Sequence, residues 1–192
     1  MVPAGTAPLL YYGLPLAAVI SITLALAVMP LPGGLNASFT GDLILVLYLM
    51  EMPAFCDILA GFASRSIYGQ VGSSREAALI LGYSLPFIAA VSALAIQADS
   101  FRMVDVLALP FGPVHVLAAA AFILAVPARL KSNPFSIPNA EQEIVAGPHV
   151  EYNGPALALF ELAHGLEFVA VGALFSVLFI PRLPSAGLNL VL

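Results

Sequence analysis

Five stretches of this chain are each about twenty residues long and almost wholly apolar. That feature decides the solvent in which it folds. A helix rising about 1.5 Å per residue needs about twenty residues to cross a hydrocarbon core of about 30 Å. The stretches cover approximately 8–29, 42–63, 75–95, 104–126 and 155–180. Pro30-Leu31-Pro32-Gly33-Gly34 ends the first, Asn153-Gly154-Pro155 opens the last and Pro181 closes it. Pro53, Pro86 and Pro127 fall inside or at the ends of these segments, where membrane helices tolerate them. Apolar residues make up 61% of the 192 and charged ones 9%, against roughly 25% charged in soluble domains. A soluble globule could not hide that much apolar surface. The expected fold class is an all-α membrane protein, a single transmembrane domain over 1–192 with about five transmembrane helices.

Six basic against eleven acidic residues give a net charge of −5, so no basic face exists for nucleic acid. Cys56 is the one cysteine, which excludes a disulfide framework and an iron–sulfur cluster held by this chain alone. No cofactor is expected on it. With the N-terminus inside, Arg65, Arg75, Arg129 and Lys131 fall inside and Arg102 and Arg182 outside, the sense that the positive-inside rule favours. The long loop 129–154 is then cytoplasmic. No internal repeat is visible, unlike an inverted-repeat transporter.

Several ionisable residues sit at membrane depth: Glu51 and Asp57 in the second stretch, Glu76 early in the third, and Glu161, His164 and Glu167 in the fifth. Such a residue costs at least ~2.5 kcal/mol at mid-membrane unless it faces protein or water. At about 100° per residue, Glu161, His164 and Glu167 share an arc of about 120° and rise about 9 Å. Two readings fit: a path for ions or protons, or neutral hydrogen-bonded contacts between helices. In the loop, Asn139 can cap a short helix, with Gln142 three residues on and Glu141 in the first turn. Capping leaves unexplained three carboxylates, Glu141, Glu143 and Glu151, beside a membrane without matching cations.

Two segments carry a resemblance. "NPFSIPNAEQEIVAGPHVEYNGPALALFE" resembles the cytoplasmic loop of the H-subunit family of respiratory complex I, also called NADH dehydrogenase subunit one. That family typically reads N-R/H-x-P-F-D-x-P-E-A-E-x-E-L and then G-x-x-x-E-Y-S-G. "DILAGFASRSIYGQVGSSREAALILGYSLP" is similar to the same family's third-to-fourth helix region. The likeness runs from about Pro8 to Pro181 and matches the family's second to sixth helices. It implies that Arg75 stands for a family arginine, and Glu141, Glu143 and Glu151 for acidic loop positions lining the cavity between redox module and membrane path. Three positions depart. Asn139 stands where the family loop has its first glutamate, and Ser84 and His164 stand where respiratory members have membrane glutamates.

"ALFELA" and Arg75-Glu76-Ala77 resemble more closely the anchor subunits of membrane-bound, energy-converting NiFe hydrogenases. The resemblance therefore implies a non-catalytic membrane-anchor and ion-translocation coupling subunit of a complex I-like, hydrogenase-type redox complex in a prokaryotic plasma membrane. Iron–sulfur clusters and the NiFe centre would lie in peripheral partner subunits docked at the loop, with another membrane subunit supplying the remaining family helices. On that reading Glu51, Asp57, Glu76, Glu141, Glu143, Glu151, Glu161, His164 and Glu167 form the ion path. Arg75, Arg129 and Lys131 form the partner-module interface. A quinone-linked subunit of respiratory NADH dehydrogenase, a stand-alone ion transporter or channel, and a structural spacer remain as alternatives.

Overall fold

The computed structural model describes residues 8–31, 38–139 and 147–180. Six α-helices account for most of them: α1 (Pro8–Val28), α2 (Asp42–Ala63), α3 (Ile67–Ala98), α4 (Met103–Leu107), α5 (Pro113–Arg129) and α6 (Gly154–Phe179). Two single 3-10 turns, Ile137–Asn139 and Gly147–His149, belong to the connection between α5 and α6. No strand occurs among the described residues. Four helices, α1, α2, α3 and α6, are long and apolar enough to cross a membrane, and α5 is a shorter apolar helix of 17 residues. This is a multi-pass membrane bundle.

The third helix is longer than the expected 75–95: α3 starts at Ile67 and runs for 32 residues, a length of about 48 Å. Gly69 and Gly72 look like loop residues in the sequence but are helical, and their missing side chains let other backbone come close. A Cβ on Gly69 would stand 2.6 Å from the Ser64 hydroxyl, and one on Gly72 would stand 2.7 Å from the backbone of Gly147 and Pro148. The expected fourth helix, 104–126, is in fact two. Pro110 and Pro113 lack the N–H a continuous helix needs, and Gly112 is extended, so α4 stops at Leu107 and α5 restarts with Pro113 in its first turn. At its other end α5 continues through Pro127 to Arg129.

α1 packs along α2 and α6, while α3 packs along α2 and α5. Ile22, Leu43, Met50, Phe87, Phe122 and Leu174 share one buried core, in which the Phe87 and Phe122 rings lie 4.6 Å apart. At the end of the bundle away from the long loop, Asp42 is buried and accepts a hydrogen bond at 2.8 Å from the Met103 amide, tying α4 to the start of α2. At the loop end, the two 3-10 turns rest against α3.

Candidate functional site

The site grows from where α5 stops. Because the helix runs on to Arg129, that side chain turns into the bundle, where it is fully buried. Its guanidinium pairs with Glu51 of α2 through Nη1, while Nη2 donates to the Met50 carbonyl at 2.6 Å and lies 3.3 Å from Glu167 Oε1 of α6. The same guanidinium sits over the Phe87 ring, 4.6 Å from its centroid. A planar, weakly hydrated cation suits such a place better than an ammonium. Ser84 of α3 donates to the other Glu51 oxygen at 3.4 Å.

Two residues on, Lys131 adopts a positive φ of 50°. Its Nζ lies 2.5 Å from Asp57 Oδ2 and 3.1 Å from Glu76 Oε1. Burial alone would lower the lysine's pKa, but Asp57 and Glu76 outweigh it and hold the pKa above the ordinary value, so Lys131 stays an ammonium. The other Asp57 oxygen stands 3.1 Å from His149 Nε2. That imidazole stacks on Phe160 at 4.4 Å, and Tyr152 stacks on Tyr11 of α1 at 4.7 Å with the rings 2° from parallel. The Tyr11 hydroxyl accepts from the Asn153 amide at 3.1 Å, fastening the start of α6 to α1.

The charge count is uneven. Arg129 is shared by Glu51 and Glu167, and Lys131 by Asp57 and Glu76, so four carboxylates face two permanent cations. Glu76 is fully buried and neither of its oxygens has an aligned hydrogen-bond partner; Glu167 Oε1 also lacks one. A cavity of about 80 Å³ opens between α2, α6 and the loop, lined by Asp57, Lys131, His149, Glu161, His164 and Glu167. Buried carboxylates in excess of cations, beside a polar cavity, can take up and release a positive charge.

A family profile described as NADH dehydrogenase matches residues 1–190. The chain belongs to the NADH dehydrogenase subunit one family. It is 33% identical over 159 residues to the NADH-quinone oxidoreductase H-subunit of Brevibacillus brevis, covering 80% of this chain and 47% of that protein. It is 31% identical over 176 residues to the H-subunit of Geobacillus kaustophilus, covering 89% and 53%. The chain thus spans about half the length of the curated relatives it matches. A chain in the structure of the membrane-bound sulfane sulfur reductase, an archaeal respiratory membrane complex, superposes with a TM-score of 0.81 at 29% identity. That match covers 91% of this chain and 61% of the other.

Of the residues singled out in this family member, the fold gathers Glu51, Asp57, Glu76 and Glu167 around the two cations. Glu161 and His164 border the cavity from α6, and His164 Nδ1 is 4.0 Å from Glu167 Oε2. Glu151 is partly buried just before α6, and Glu141 and Glu143 lie outside the described residues. Arg75 is partly buried on α3, next to Glu76. Arg129 and Lys131 turn inward. Expected on a surface facing a partner module, both are buried inside the chain, because α5 reaches Arg129 and four carboxylates draw the two cations inward. Sequence does not single out His149: its partner Asp57 is 92 residues away, and no spacing joins them.

Proposed function

We propose that this chain is the membrane-anchor and ion-translocation coupling subunit of a complex I-like, redox-driven membrane complex. One observation carries the reading: the buried guanidinium of Arg129 is shared by Glu51 and Glu167, and two residues later Lys131 is shared by Asp57 and Glu76. Stability alone does not call for such an arrangement, since apolar residues of similar volume often serve as well as a buried ion pair. The ionisable chain leads from α2 and α6 toward the loop end, where a peripheral module would dock. Glu161 and His164 lie exposed on α6, and ionisable groups against lipid are unfavourable, so a further membrane segment of the assembly covers them.

The terminal acceptor is the finer question. Ser84 and His164, standing where the quinone-linked members carry glutamates, support a hydrogenase-type complex in which iron–sulfur and NiFe groups sit in partner subunits and electrons do not go to quinone. The similarity to a chain of the sulfane sulfur reductase complex, whose name gives sulfane sulfur and not quinone as what is reduced, supports an acceptor other than quinone. The second reading, a quinone-linked subunit, is favoured by the names of the curated relatives. We place the complex in a prokaryotic plasma membrane with the loop inside.

The test uses the intact complex, purified through a tag on this chain and reconstituted in liposomes. Glu51→Gln should leave electron transfer running while gradient formation falls. Normal gradient formation in that variant would contradict the coupling role. Quinone reduction by the unaltered complex would select the second reading, and ion transport by this chain without partners would select a stand-alone transporter.

A further inference from the structure

We propose that His149 and His164 are a proton-carrying pair that joins the two buried clusters through the cavity, so that the ion moved is the proton. The proposal rests on the coupling role above and names its ion and two of its carriers. Each cluster holds two carboxylates and one permanent cation, Glu51 and Glu167 about Arg129 in one and Asp57 and Glu76 about Lys131 in the other, and so carries one carboxylate in excess. Each therefore has a place for one exchangeable positive charge. The cavity between them measures about 80 Å³, room for several waters.

The two histidines divide this space. His149 puts Nε2 3.1 Å from Asp57 Oδ1, and His164 puts Nδ1 4.0 Å from Glu167 Oε2. Both rings line the same cavity. The charged and titratable groups around them are Asp57 from α2, Lys131 and Tyr152 from the loop and Glu161 and Glu167 from α6, with Glu76 of α3 behind Lys131. Imidazole gains and loses a proton near neutral pH through either nitrogen, and as a nitrogen ligand it is a poor match for a hard cation.

The step balances without electrons. A proton on Glu167 passes through a bridging cavity water to His164 Nδ1, 4.0 Å away, leaving a carboxylate and an imidazolium. The imidazolium releases the proton on its other nitrogen through cavity water to His149 Nδ1. His149 then holds the charge as an imidazolium, its Nε2–H donating to Asp57, until the proton is released toward the loop, and the His164 ring is neutral again.

The experiment places His149→Gln and His164→Gln in the intact reconstituted complex and reads proton uptake per electron transferred, with Glu51→Gln alongside. Uptake should fall about tenfold or more in each histidine variant, as expected for loss of a positioned acid–base group. Added imidazole should restore it, which replacing a purely structural side chain would not do. Unchanged uptake in both variants, or a loss that imidazole does not restore, overturns the pair. Gradient formation retained in Glu51→Gln overturns the coupling role itself. Should the variants fail to assemble, the unaltered complex decides. Uptake of protons in sodium-free medium supports the pair, and a gradient that requires and carries sodium overturns it.

Discussion

Arg129, the last residue of α5, and Glu51, midway along α2, form a buried ion pair, although 78 residues separate them. Glu167 approaches the same guanidinium at 3.3 Å from a third helix. Three helices that otherwise meet through apolar side chains are thus also tied by one charge.

Removing that charge should be severe. Arg129→Leu leaves Glu51 and Glu167 buried without their cation, a loss of about 3–5 kcal/mol. The chain should then be depleted from the assembled complex, as measured by its abundance in purified membranes. Arg129→Lys keeps a positive charge but not the planar fork that reaches Glu51, Glu167 and the Met50 carbonyl together, so it should assemble with a lowered Tm.

Gly72 should tolerate no side chain. Its Cβ would meet the Gly147–Pro148 backbone at 2.7 Å, and the helix and turn must separate to admit it. Gly72→Ala should lower stability by about 1–3 kcal/mol and move His149 off Asp57. Faster protease cleavage between residues 132 and 150 than in the unaltered complex checks this.

Tyr152 gives a pH signature outside the membrane-spanning segments. Burial, then the neighbouring Tyr11 and Asp57, push its pKa up to about 12 from the ordinary value near 10. A group whose folded pKa is raised contributes stability in full below its unfolded pKa, and that contribution is lost as pH rises toward the folded value. The complex should therefore lose stability between about pH 10 and 12. In Tyr152→Phe this loss should be smaller, as read by Tm across that range.

Sidedness is accessible through the loop. Ser136 lies in the connection between α5 and α6, while Cys56, the one native thiol, is buried. Ser136→Cys should react with an impermeant thiol reagent in inverted vesicles and not in intact cells. Labelling of intact cells would reverse the topology.

The bundle is legible in the sequence where apolar runs are uninterrupted. α2 occupies the expected 42–63, with Gly41 and Ser64 at its ends and Pro53 accommodated inside it. α3 reads too short because Gly69 and Gly72 resemble a loop, and only the opposing backbone shows why they are glycines. Helical spacing puts Glu161, His164 and Glu167 on one broad face, but that face runs from an exposed cavity edge to the buried Arg129 contact. Which carboxylate meets which cation is not expressed in the sequence. Those pairs join separate helices, and Arg129 and Lys131 look like ordinary loop cations until α5 is seen to carry them inward.

Glu167 stands between Arg129 and His164, so Glu167→Gln tests the central claim most directly. The amide keeps shape and hydrogen-bonding capacity but cannot carry a titrating proton. Electron transfer and gradient formation are measured together on the same liposomes. The account predicts normal assembly, continued electron transfer and at least about a tenfold fall in gradient formed per electron. Normal gradient formation in Glu167→Gln would contradict it and leave the buried carboxylates as contacts between helices.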